Sequence, residues 1–294
     1  MSKQKKGNDL TKNNYDFDDV IEIFVKRFQN TPISNEEFNV VTKYYRQQAP
    51  SKIYRYRPEK LKEIKALVEN KIWFSTLAQL NDPFEYNFKF DVMKILASRK
   101  DIQNQMLSMS FVQKQVMLKK LSKSVDYESF YRDVLSNYTI SCFSEVHDSL
   151  LIWGHYSSGH RGICVEYDTV KLGSEYGKVV MPVNYQEKLP LMSAIDEASI
   201  ARSFFFQIAR TKATDWSYER EWRCIQDKGA CGEEWSLKGA LLDSSPPTAI
   251  YLGCNAEGEF ADSLIRTCKE KLRIPVYKMK KSEDDYKLIP IRIT

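Results

Sequence analysis

The chain is most constrained by a series of short strand-like segments spread over residues 52–293 and separated by helical stretches. Residues 52–57 alternate (Lys-Ile-Tyr-Arg-Tyr-Arg), and residues 71–76 read Lys-Ile-Trp-Phe-Ser-Thr. Further runs of strand length lie at 138–144, 162–168, 178–185, 221–226, 249–253, 276–280 and 288–293. Those at 162–168 and 178–185 are candidates to pair with each other. Between them, Pro58 opens a helix to residue 70, and helices are expected over 192–212, with Phe204, Phe205 and Ile208 inside it, and over 257–272.

Two helices precede the first strand. Residues 16–29 place Val20, Ile21, Phe24, Val25 and Phe28 at helical spacing, and Ser34-Asn35-Glu36-Glu37 is a capping box for a second helix to about residue 48. Residues 1–15 are polar and lysine-rich, a composition expected to stay disordered. The organisation expected is therefore an N-terminal helical extension, 1–50, and a single domain, 51–294. A helical insertion over about 91–137 breaks near Arg99-Lys100-Asp101, and Asp126 caps a further helix to residue 136. Residues 80–85 read as a turn.

With 294 residues, 43% hydrophobic and 28% charged, the chain has an ordinary globular composition. Its net charge of +5 permits contact with nucleic acid without requiring it. Six cysteines are widely spaced and several sit in apolar runs, the usage of buried free thiols in a reducing compartment. No apolar run reaches membrane-spanning length and the N-terminus lacks a signal-peptide core, so a cytoplasmic protein with no membrane partner is expected.

The chemistry-bearing stretch is 216–225, Trp-Ser-Tyr-Glu-Arg-Glu-Trp-Arg-Cys-Ile. In an extended chain Glu219 and Glu221 share a face and Arg220 points away. Two carboxylates held close repel, one acquires a raised pKa, and a reacting cation relieves the strain. The plainer alternative is a charged ladder on a solvated strand. Arg55 and Arg57 share a face of their strand, as a sheet-edge salt bridge or as forks for an anion. Ser75 and Thr76 end a strand, where hydroxyls cap a turn or hold a neighbouring carboxylate. Trp153 and Tyr156 share a helix face, as core or as pocket. His147, His155 and His160 lack metal-ligand spacing, so no metal site is expected. Nucleotide-binding P-loop and Rossmann signatures and the nucleophile elbow are absent.

The ordered set Tyr54-Arg55-Tyr56-Arg57, Trp73-Phe74-Ser75, Asn81-Asp82-Pro83-Phe84, Cys142-Phe143-Ser144, Trp153 with His155-Tyr156, Gly162-Ile163-Cys164 and Tyr218-Glu219-x-Glu221-Trp222-Arg223 resembles a bacterial family of unknown function, DUF2971, over about residues 52–280. More loosely, an arginine-bearing first strand, an aromatic-Ser-Thr strand and Glu-x-Glu entering a late strand is similar to the ADP-ribosyltransferases. That resemblance implies an α+β fold of mixed, mostly antiparallel sheets with flanking helices, split at the site. It implies NAD as substrate, held by Arg55 or Arg57, with Ser75 supporting the site and Trp153 or Tyr156 stacking on nicotinamide. Glu221 would stabilise the cationic transition state and Glu219 would orient the acceptor. Thr76 is followed by Leu77, so the full Ser-Thr-Ser of that superfamily is not present.

The function expected is transfer of ADP-ribose to a macromolecular acceptor, nucleic acid or protein, or hydrolysis of NAD. A toxin or phage-defence effector is the implied setting, with a regulatory partner at the N-terminal helices. The alternatives are a non-enzymatic module that binds nucleic acid or protein, and a metal-dependent nuclease built from Asp82, Glu85, Glu219 and Glu221.

Overall fold

The computed structural model describes residues 14–28, 31–123, 136–192, 206–229, 231 and 235–294. Expectations for residues 1–13, for the 126–135 helix and for most of the 192–212 helix, Phe204 and Phe205 included, lie outside the described residues. Of the last, residues 206–209 are helical, but its expected ends are not: residue 192 belongs to one short strand and residues 211–212 to another.

Two helices come first, α1 (Phe17–Phe28) and α2 (Asn35–Gln48). At the capping box, Ser34 Oγ accepts from the Glu37 N–H and the Glu37 carboxylate accepts from the Ser34 N–H. Two N–H groups that a first helical turn leaves open are thereby satisfied. Then come β1 (Lys52–Arg57), α3 (Leu61–Val68), β2 (Lys71–Thr76) and β3 (Lys89–Phe90). The insertion contains α4 (Val92–Ser98), α5 (Lys100–Gln105) and α6 (Phe111–Ser122), with the expected break at Arg99, the C-cap of α4. Leu96, Ile102, Met106 and Leu118 give it a small apolar cluster of its own.

The chain continues through β4 (Tyr138–Ser144), α7 (Leu150–Tyr156), β5 (Ile163–Asp168), β6 (Val179–Pro182), β7 (Asn184–Gln186), β8 (Leu191–Met192), β9 (Thr211–Ala213) and β10 (Glu221–Asp227). Last are β11 (Gly239–Asp243), β12 (Ala249–Leu252), α8 (Gly258–Thr267), β13 (Val276–Lys281) and β14 (Leu288–Arg292). Ten strands form one sheet in the order β11-β2-β4-β1-β5-β12-β13-β14, with β10 on β4 and β6 on β10. Within it only β12 and β13 run parallel. The fold is α+β, with a mostly antiparallel sheet and flanking helices.

The segments 162–168 and 178–185 do not pair. Both edges of β5 are occupied, by β1 and by β12, while β6 pairs with β10. The 178–185 run is interrupted at Val183, whose N–H donates to Glu221 O. It resumes as β7, which leaves the sheet to pair in parallel with β9.

The sheet forks at β4. One edge of β4 pairs with β10 along its length, from Tyr138↔Asp227 to Ser144↔Glu221. The other edge is shared: β2 pairs at Thr139 and Ile140, and β1 meets it at Ser144. β1 and β2 have no ladder between them. The opening is spanned by a side chain instead, since the Arg55 guanidinium donates to Trp73 O.

Helices α1 and α2 share the main core with the sheet. Ile23, Phe24, Tyr44 and Tyr45 belong to the same cluster as Val180, Met181 and Trp222. The buried Tyr45 hydroxyl donates to Val180 O at 3.0 Å and accepts from the Val180 N–H at 3.0 Å. A side chain at Gly173 would meet the Tyr45 ring at 2.2 Å, so that ring fits only over a glycine. All six cysteines are free thiols. Tyr45→Phe removes a hydroxyl that two buried backbone groups use and is expected to cost about 1–3 kcal/mol. Urea denaturation checks this: a lower midpoint with unchanged slope is expected, and an unchanged midpoint would contradict the contact.

Candidate active site in the fork of the sheet

The fork leaves a cavity of about 240 Å³, with β1 on one side, the end of β2 and the following turn on the other, and β4 as its floor. Into it come Tyr156 at the end of α7, Lys212 from the middle of β9, and Glu219 and Glu221 from the segment that leads into β10.

The two glutamates converge, but not by strand alternation. Residues 214–219 form a 3₁₀ helix, and Arg220 takes a left-handed conformation (φ 44°, ψ 54°) before β10 begins. That single left-handed residue turns Glu219 back over Glu221. Left-handed backbone is costly for a side-chain-bearing residue and persists where neighbours hold it. Here the exposed Arg220 guanidinium is 2.6 Å from the Glu145 carboxylate, which also accepts from the Trp222 indole N–H at 2.9 Å.

Five charged groups then meet out of water. Lys212 Nζ lies 2.6 Å from Glu219 Oε2, 3.1 Å from Glu221 Oε2 and 3.4 Å from Glu85 Oε1. Arg223, fully buried, donates from Nε to Glu221 Oε1 at 2.9 Å, from Nη2 to Glu85 Oε1 at 2.7 Å, and from Nη1 to Ala209 O at 2.8 Å. Glu221 and Arg223 share a face because they are two apart on a strand. A solvated charge ladder is therefore not what these residues form: Glu219 is 6% exposed, Glu221 4% and Arg223 0%. Tyr156 Oη donates to Glu219 Oε1 at 2.7 Å and accepts from Asn81 Nδ2 at 3.1 Å. Tyr185, which faces Lys212 across the β7–β9 pair, accepts from the Glu221 N–H at 2.8 Å.

Burial drives the carboxylates up in pKa and the cations down, and the pairings decide what remains. Burial raises Glu221, but Arg223 and Lys212 override it and hold Glu221 down at about 2. Glu219 stays raised, by burial first and by the Glu221 charge, against the pull of Lys212. Burial lowers Lys212, but Glu221, Glu219 and Glu85 reverse that and leave it raised. Three carboxylates face two cations, so the cluster holds one unmatched negative charge, and it is felt at Glu219.

Arg55 and Arg57 both border the cavity. Arg57 is held by a two-point ion pair to Glu63 at 2.7 and 2.8 Å. Arg55 is buried and faces no carboxylate in the ion pairs of the described residues; burial, then Arg57, lower it to about 9. Ser75 also lines the cavity. Trp153 does not. It is fully buried in a second core cluster, edge-on to Tyr56, with its indole N–H bonded to His147 O at 2.7 Å. Facing inward from α7, it packs the helix onto the sheet, while Tyr156, one turn on, reaches the site. The histidines do not converge: His147 stacks on Tyr251, His160 on Trp153, and His155 is exposed. Among the described residues no group of His, Cys, Asp and Glu could hold a metal ion.

Sequence reasoning missed Lys212 and the inward role of Arg223. An apolar strand containing Glu221, Arg223 and Cys224 carried that signal, since charges in a fully buried strand must pair. Nothing in the local sequence marks Lys212.

The linkage signs differ for the two glutamates. Glu221 is depressed in the fold, so its contribution, on the order of 3 kcal/mol by the 4.5-to-2 shift, is present above the ordinary glutamate pKa and lost as pH falls towards 2. Glu219 is raised, so its contribution is full below the ordinary pKa and lost as pH rises through its folded value. Denaturation midpoints against pH should show Glu221→Gln less stable at neutral pH, with a flatter acid limb than the parent. Glu219→Gln should unfold no earlier than the parent at pH 7. The reverse order would overturn this assignment.

No curated protein and no solved structure matches the chain. One family model does, over residues 152–224, a shorter span than the motifs that begin at Tyr54. That span runs from α7 to the middle of β10 and includes Tyr156, Lys212, Glu219, Glu221 and Arg223. The matching model is that of the family described as Protein of unknown function (DUF2971), and the likeness to it is shown over that span.

Proposed function

We propose that the fork cavity takes the nicotinamide-ribose end of NAD and that the protein transfers ADP-ribose to a macromolecular acceptor, nucleic acid or protein. One observation carries this: Arg55 and Arg57 on the first strand, Ser75 ending the second, Tyr156, and Glu219 and Glu221 all border one cavity at the fork of a mostly antiparallel sheet. The ADP-ribosyltransferase resemblance implies that grouping.

The chemistry suits the charge balance. When the bond from ribose C1′ to the nicotinamide nitrogen breaks, its electron pair leaves with nicotinamide and the sugar becomes cationic. A dry cluster with one unmatched negative charge stabilises that cation. Arg223 grips both oxygens of Glu221 and neutralises it, so Glu219 is the carboxylate best placed to meet the sugar. The acceptor then attacks C1′ and its proton passes to Glu219, whose raised pKa suits a base. Tyr156 Oη keeps that carboxylate aimed. At about 240 Å³ the cavity is smaller than whole-ligand pockets, so the adenosine end lies outside it. A metal-dependent nuclease is disfavoured because the Lys212 ammonium already occupies the point shared by Glu85, Glu219 and Glu221.

The test is incubation with labelled NAD in bacterial lysate, followed by nuclease or protease treatment. Label in a macromolecule is expected, and Glu219→Gln should reduce it by about 10²-fold or more with unchanged circular dichroism. Free ADP-ribose without labelled acceptor would make the reaction hydrolysis. Absence of both NAD binding and NAD consumption would overturn the proposal in favour of a binding module.

A further inference from the structure

A second cavity, about 190 Å³, lies between α3 and strands β1, β2 and β5. It shares Arg55 and Arg57 with the fork cavity and adds Lys62 and Lys71. Its one carboxylate, Glu63, is already taken at both oxygens by Arg57. Arg55 is 7% exposed and has five N–H donors, of which one finds an acceptor, Trp73 O, among the described residues. A buried guanidinium with no carboxylate partner is an expensive arrangement unless an anion completes it. The remaining lining, Ala66, Leu67 and Leu241 among it, is mostly apolar, with Tyr167 contributing a hydroxyl, and strengthens any charge pair formed inside.

We propose that this second cavity is a binding site for a small oxyanion of the phosphate class, held by the Arg55 guanidinium, the Arg57 donors that Glu63 leaves open and the ammonium of Lys62. Planar guanidinium forks match the oxygens of a tetrahedral oxyanion, and a halide gains no such fit. Because Arg55 also borders the fork cavity, occupancy here fixes the side chain that bridges β1 and β2. The site stands on its own residues and does not rest on the fork cavity binding NAD. The oxyanion comes either free from solution or as the phosphoryl group of a larger ligand reaching through the fork.

Inorganic phosphate is the probe, measured by calorimetry and by thermal unfolding against sodium chloride of equal ionic strength. Two variants touch only the second cavity: Lys62→Glu, exposed on α3, inverts one charge, and Ala66→Met fills the space. Phosphate is expected to bind the parent and raise its unfolding temperature, and each variant to raise Kd at least tenfold while NAD turnover persists. Phosphate no more stabilising than chloride, or equal affinity in both variants, would overturn the site. ADP-ribose added to the phosphate titration separates the sources. Competition, with Ala66→Met weakening both, means the phosphoryl group of a larger ligand, and additive binding means a free anion. Phosphate binding without any ADP-ribose binding would support this site while counting against the proposed function.

Discussion

The pairing of Lys212 and Arg223 with Glu85, Glu219 and Glu221 joins parts of the chain that are far apart in sequence. Glu85 comes from the turn after β2, Lys212 from β9, and Arg223 from the middle of β10. Charges this deep must be matched or neutralised, because each one taken from water unpaired costs several kcal/mol. The cluster therefore fixes how the turn, the small β7–β9 pair and the main sheet sit together. It also leaves one negative charge unmatched at the mouth of the cavity, and any cation-handling chemistry would draw on that charge.

The fork supplies the space. A strand has two edges, and β4 divides one of them between β1 and β2. Between those contacts the floor of the cavity is bare strand, with Cys142 and Phe143 facing no ladder partner on that side. Arg55 crosses the opening with one hydrogen bond in place of a ladder. The same side chain thus closes the sheet and stands between two cavities.

Much of the fold was legible from local pattern. The capping box at Ser34, the strand at residues 52–57 and the break at Arg99 are each set by interactions a few residues apart, and each appears where expected. Strand pairing was not legible in this way. Residues 162–168 and 178–185 look like hairpin partners because they are close in sequence, yet β5 satisfies its edges with β1 and β12. Gly239–Asp243, short and following a polar stretch, gave no strand signal, and it becomes the edge partner of β2. For Trp153 and Tyr156, spacing placed both on one face. Packing separated them, since the indole fills the second core cluster and the phenol carries on to Glu219.

By itself the sequence determined most of the longer strands and helices, that Glu219 and Glu221 would lie close, and which arginines and hydroxyls stood ready to join them, because those properties follow from backbone period and residue chemistry over short range. Only the tertiary structure decided that Lys212 sits among three carboxylates, that Arg223 is buried with Glu221, and that Arg55 spans a fork. Those depend on β9, β10 and the turn after β2 arriving at one point, and electrostatic matching out of water acts on proximity in space rather than on spacing along the chain. The convergence of the two glutamates shows the difference: strand alternation was the expected cause, and a left-handed Arg220, held from outside by Glu145, is the actual one.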